Sequence, residues 1–190
     1  MQFTMKQFGI GLSALALFLL LSGCGGNNVH LDNPRNEGAT FVIDGEEHHL
    51  NPGETQEFSL GGGSHKLQIK GDKAGAIVDT TISVKDGGVI QSGGEYIVWK
   101  QLYGLQDGRK TLLNEEWTMI DSTNFFGDFK IYPATDYYIE QNWTLGLPEA
   151  MPDTKTLFVT KDYKIESKIF RRDDFVKTYR ELADQAKKNQ

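Results

Sequence analysis

The chain has 190 residues, of which 38% are hydrophobic and 24% charged, with a formal net charge of −6. That length allows one or two domains with a proper core, while the acidic balance lacks the basic footprint that a nucleic-acid partner demands. One cysteine excludes an intramolecular disulfide framework, so the fold has to be held by packing.

The first element is an export signal. Lys6 is the only charged residue ahead of Cys24, and Phe8 to Leu21 is an unbroken run of 14 apolar or small residues, the order of an n-region followed by an h-region. As a helix the run would reach roughly 21 Å, short of the ~30 Å hydrocarbon core that a spanning helix must cross. It closes as Leu21-Ser22-Gly23-Cys24, a pattern that resembles the lipobox of bacterial lipoproteins. The resemblance implies cleavage between Gly23 and Cys24, a diacylglyceryl group on the Cys24 thiol, and acylation of the new amino group. Two or more acyl chains hold a protein stably on a bilayer, whereas one is marginal. Residues 1–23 are then the signal peptide, and residues 24–28 the lipidated cysteine and a flexible tether. The resemblance thus implies that the membrane is reached through lipid on Cys24. In two-membrane bacteria an aspartate after the lipidated residue resembles an inner-membrane retention signal, and Gly25-Gly26 stands there instead, which favours the outer membrane.

Residues 29–103 read as a β-sandwich module. Ala39 to Ile43 alternates, Asp44-Gly45 is a type I′ hairpin signal, and Glu46 to Leu50 returns antiparallel. That loop would pair Ile43 with Glu46 and Phe41 with His48. Asn51-Pro52-Gly53 and Gly61-Gly62-Gly63 punctuate the strands Thr55 to Leu60 and His65 to Lys70, and Ala76 to Val84 continues the period of two. The order NP, ATFVIDGEE, a turn, then FSLGGGSHKLQIKG resembles the small β modules called PEGA domains, over about Val29 to Gly71. The resemblance implies a scaffold or adhesive role without catalytic residues.

Residues 104–190 form a smaller, aromatic-rich α+β portion, with Gly104 to Gly108 as the boundary. Of the 21 aromatic residues, 16 lie from Tyr96 onward. Tyr96 to Tyr103, Leu157 to Thr160 and Lys164 to Phe170 read as strands. Phe175, Tyr179, Leu182, Ala183 and Ala186 follow helical spacing, with Asp173 and Asp174 in front and Lys187 and Lys188 behind, as the helix dipole prefers. The chain is expected to be mainly β, closed by an amphipathic helix. Lys161 to Gln190 carries 9 basic and 6 acidic residues, which reads as a solvated helix face.

Chemistry is sparse. Adjacent strand residues diverge, so His48 and His49 cannot chelate one ion together, nor can Ser64 and His65 form a nucleophile and base. A metal-binding module would need His48 and His65 to approach across the sandwich with Glu46 as a third ligand; the default is edge or hydrogen-bonded histidines, no metal and no cofactor. A hydrolase would need two carboxylates among Glu115, Glu116, Asp121, Asp128, Asp136 and Glu140 to converge in a cleft. The favoured reading is a non-enzymatic binding or scaffold component of the envelope that recognises a protein or a wall polymer. Its candidate binding patch is Trp117, Phe125, Phe126, Tyr137, Tyr138 and Trp143, with most of the aromatic cluster expected in the core and any exposed members forming the recognition surface.

Overall fold

A computed structural model describes residues 27–73, 75–104, 112–152 and 163–188. The lipobox, Cys24, residues 105–108 of the expected boundary and the strand read at Leu157 to Thr160 lie outside the described residues. Among the described residues twelve strands precede one helix: β1 (Asn27–Asp32), β2 (Ala39–Ile43), β3 (Glu46–Leu50), β4 (Thr55–Leu60), β5 (Gly63–Gly71), β6 (Gly75–Val84), β7 (Gly88–Gln91), β8 (Tyr96–Gly104), β9 (Glu116–Ile120), β10 (Thr123–Tyr132), β11 (Tyr138–Glu140), β12 (Tyr163–Arg171) and α1 (Arg172–Lys188). The protein is mainly β with a terminal helix.

The hairpin at Asp44-Gly45 forms in the expected register, Ile43 opposite Glu46 and Phe41 opposite His48. Both turn residues have positive φ, 51° and 93°, the type I′ geometry whose twist matches the flanking strands. β2 also pairs with β5, and β5 with β6, giving a sheet ordered β3-β2-β5-β6.

A second sheet runs β11-β7-β1-β4, and a third β12-β8-β10-β9. Val29, Leu31 and Ile90 of the second sheet pack against Phe41, Leu67 and Ile69 of the first. Val89 and Ile139 turn the other way and join Tyr96, Val98, Tyr132 and Ile169 of the third. The third sheet's far face, with Trp99, Phe125 and Phe170, meets Phe175 of α1. Three cores thus separate four layers, with β7 buried at every position because both its faces are covered. Two sequence segments interleave here: β8 is central to the third sheet, and β11, from far along the chain, edges the second.

Gly88 lets β11 approach that closely. A Cβ there would lie 2.4 Å from the Ile139 carbonyl oxygen and 2.8 Å from the Tyr138 ring.

Asp32, fully buried at the end of β1, locks the second sheet to the third. It accepts hydrogen bonds from the Thr55 and Tyr96 hydroxyls, and from Arg171 Nε at 3.0 Å and Nη2 at 2.5 Å. Nη2 also donates to the Gly53 carbonyl at 2.8 Å. Burial and the neighbouring Asp32 carboxylate push the Tyr96 hydroxyl well above its ordinary range, and the hydrogen bond to Asp32 raises Arg171 further still. Beside them the buried Asn33 amide donates to the carbonyls of Glu37, Leu50 and Asn51, and its oxygen accepts from Ser92 Oγ at 2.7 Å.

Candidate functional site

The six aromatic candidates separate by depth. Phe125 and Trp143 are core residues. Tyr137 and Tyr138 are partly buried against the core between the first two sheets, and the Tyr138 hydroxyl donates to the Asp86 carbonyl at 2.9 Å. Trp117 and Phe126 are exposed, at 71% and 42%, together with Met119 at 72%.

Why these three share a surface follows from the hairpin that carries them. Asp121 and Ser122 connect β9 to β10 with φ of 50° and 61°, a type I′ turn built without glycine. Asp121 is held by an ion pair to Arg172 at the start of α1. The turn sets Ile120 opposite Thr123, and so Trp117 opposite Phe126 and Met119 opposite Asn124. Alternation sends Phe125 toward the helix, its ring 5.3 Å from Phe175 and 4.9 Å from Tyr179. Phe126 goes to the opposite face, where its ring lies 5.2 Å from that of Trp117. β10 pairs with β8 only from Asp128 onward, so the part bearing Trp117, Met119 and Phe126 projects past that partner. There the Tyr179 hydroxyl replaces β8, accepting from Phe126 N and donating to Phe126 O, both at 3.2 Å. The result is an anchored hairpin with one open apolar face.

The polar candidates are dispersed. His65 Nδ1 meets Asp44 Oδ2 at 2.7 Å and its Nε2 meets the Gly61 carbonyl at 2.8 Å. The hydrogen bond from His65 holds the Asp44 carboxyl below its usual range. His48 stands edge-on to Phe58 at 4.5 Å with Glu46 3.5 Å away. The two histidines lie on one face of the first sheet in different rows, because Phe41 pairs with both His48 and Ile69 while His65 sits two rows further along β5. Among the described residues no three His, Cys, Asp or Glu side chains gather as a metal set. Of the carboxylates, Asp128 takes a hydrogen bond from Asn114 N at 3.0 Å and faces Lys100 at 3.8 Å, while Glu140 faces Lys85 at 3.9 Å. The two carboxylates lie on different sheets. Glu115, Glu116 and Asp136 are exposed.

No family model, curated protein or solved structure matches this chain. Its own geometry therefore carries the reading.

One concave feature lay outside the sequence expectations. A cleft of about 540 Å³ between α1, β12 and residues 147–151 is lined by Met151, Phe170, Lys168, Arg171 and Asp174. Lys168 is buried, with Nζ donating to the carbonyls of Gly146 at 2.6 Å and Leu147 at 3.2 Å and lying 4.7 Å from the Phe170 ring centre. Desolvation lowers its ammonium to about 8 against the pull of Glu149 and Asp174. Two of its three donors are used on backbone, so its part is to fasten residues 146–147 to β12. Nothing in the strand pattern of Lys164 to Phe170 signals that; a lysine in a row of core residues is the only hint.

Among the described residues no helix is long and apolar enough to cross a membrane.

Proposed function

We propose that this protein is a membrane-anchored lipoprotein of a bacterial cell envelope whose non-enzymatic body binds an envelope protein or a wall polymer through the β9–β10 hairpin. The observation that carries the binding reading is the co-exposure of Trp117, Met119 and Phe126 on one face of a hairpin whose other face is fixed to the helix. A large aromatic on a rigid support loses little entropy on contact, which is why such residues dominate recognition surfaces. The Leu21-Ser22-Gly23-Cys24 pattern supports the anchor, with cleavage after Gly23 and lipid on Cys24. The first strand starts at Asn27, and the two intervening residues plus the cysteine reach at most about 11 Å by chain contour. The body is therefore held against the bilayer, and the glycines after Cys24 favour the outer membrane where there are two.

The test is a photo-crosslinking residue placed at position 117 or 126 in intact cells, with Tyr163, which is exposed elsewhere, as the control. Adducts of one common species from 117 and 126 but not from 163 are expected. Equal labelling from all three positions, or none, rejects the hairpin as the recognition surface. Independently, Cys24→Ser should release the chain from the membrane fraction and leave the signal uncleaved; unchanged processing and fractionation would reject the anchor.

A further inference from the structure

β9 is an edge strand: among the described residues it pairs with β10 and nothing else. The register says which of its backbone groups are unused. In a two-residue hairpin the pair flanking the turn exchanges both hydrogen bonds, and bonded and non-bonded pairs alternate from there. Ile120, Thr118 and Glu116 are then the bonded positions, and the N–H and C=O groups of Trp117 and Met119 point away from β10 along the open edge. The Tyr179 contact bears this out from the other side, because Phe126, the residue opposite Trp117, uses its own N–H and C=O outward toward that hydroxyl.

Proteins blunt such edges with charge or by covering them. The edge strand β3 follows that practice, with Glu46, Glu47, His48 and His49 in five residues, and β12 is capped where Leu145 and Thr144 bond to Ser167. β9 instead presents Trp117, Thr118 and Met119. Glu115 just before the strand and Glu116 at its first position are both exposed, with no ion pair to either among the described residues, whereas Asp121 and Asp128 of the same hairpin are matched by Arg172 and Lys100.

We propose that the free edge of β9 accepts an extended, cationic polypeptide segment as an added strand. Main-chain bonds to Trp117 and Met119 supply the attachment, and alternate side chains supply the selection. A lysine or arginine of the incoming strand on the open face lies over the Trp117 ring and beside Glu115, where a cation and an indole attract within about 6 Å. This rests on the hairpin being the recognition surface and names the partner as a polypeptide rather than a wall polymer.

The experiment uses the full chain in detergent micelles and three probes: an acetylated, amidated (Lys-Val)4 peptide, its (Glu-Val)4 counterpart, and an N-acetylglucosamine tetramer. With the cationic peptide at ten times its dissociation constant, amide exchange at Trp117 and Met119 slows by roughly tenfold, and the acidic peptide and the sugar leave it unchanged. Met119→Pro removes an outward N–H that the hairpin does not use, so the fold persists as prolines do on strand edges, while affinity falls by about tenfold or more relative to Met119→Ala. Glu115→Gln with Glu116→Gln weakens binding and flattens its salt dependence. Equal binding by Met119→Pro and Met119→Ala, or protection that omits Trp117 and Met119, overturns strand addition. Should Met119→Pro fail to melt cooperatively, the exchange pattern of the unmodified chain decides alone. A response to the sugar with none to the peptide overturns the polypeptide partner while sparing the hairpin as a surface; silence from all three, joined to absent crosslinks at 117, removes both.

Discussion

Arg171→Met is the sharpest perturbation the fold offers. It deletes both guanidinium bonds to Asp32 and leaves a fully buried carboxylate with only the Thr55 and Tyr96 hydroxyls as donors. Removing one member of a buried ion pair costs about 3–5 kcal/mol, since the remaining charge is left uncompensated. In chains of roughly 150–250 residues each kcal/mol moves the melting temperature by about 2–4 °C, so a fall of roughly 6–20 °C is expected in a circular-dichroism melt. The second half of the test is Asp32→Leu combined with Arg171→Met. If the cost lies in the stranded charge, the double variant is more stable than Arg171→Met alone, and a double-mutant cycle returns a favourable coupling for the native pair. A loss below about 1 kcal/mol in the single variant, or a double variant no better than the single, would refute the assignment of Asp32 and Arg171 as the lock between sheets.

Three further outcomes concern Tyr96, Lys168 and Gly88. The Tyr96 hydroxyl is raised by burial and by Asp32, so below about pH 10, the unfolded value, its contribution is complete; above that the unfolded chain ionises first and stability falls as pH climbs toward the folded value. Tyr96→Phe, followed by urea melts from pH 8 to 11, should lower stability at neutral pH and lose this alkaline decline. Lys168 is shifted the other way, to about 8: between that value and its ordinary one the unfolded state holds more protons, stability rises with pH, and Lys168→Met should flatten the rise over pH 8 to 10 in the same melts. Gly88→Ala places a methyl against the Ile139 carbonyl; with the blocking atom on the backbone, a loss of about 1–3 kcal/mol is expected, with faster amide exchange in β11 and no change in β2 or β3.

How far the sequence went can be traced element by element. Where local chemistry decides the backbone it was readable: Asp44-Gly45 dictates a turn with two positive φ values, and the register of β2 against β3 followed to the residue. The terminal helix was readable because one face, Phe175, Tyr179 and Leu182, repeats at helical spacing against a single core. β7 was not, since a strand buried on both faces has no alternation to read, and β11, only three residues long, offers no pattern at all. The β9–β10 hairpin turns on Asp121-Ser122, a pair that carries no glycine to announce positive φ. At the candidate site the sequence marked the aromatic window yet could not separate Phe125 from Phe126: the strand phase that puts one under the helix and the other in solvent is fixed by Tyr179, 53 positions away. Asp32 and Arg171 gave no local sign, because a buried charge is explained only by its partner. The two histidines were placed on the correct strand faces, but rows within a sheet depend on the pairing of β2 with β5, which no turn specifies.

The lock at Asp32 also sets a clock. Its acid sits in β1 and its base 139 positions later, in β12, so a polypeptide emerging amino end first carries that carboxylate without this counter-ion until β12 has been made. Loss of β12 and α1 would strand the charge and uncover two of the three cores at once. The earliest-made strand therefore gains its ion-pair partner only once β12 has emerged.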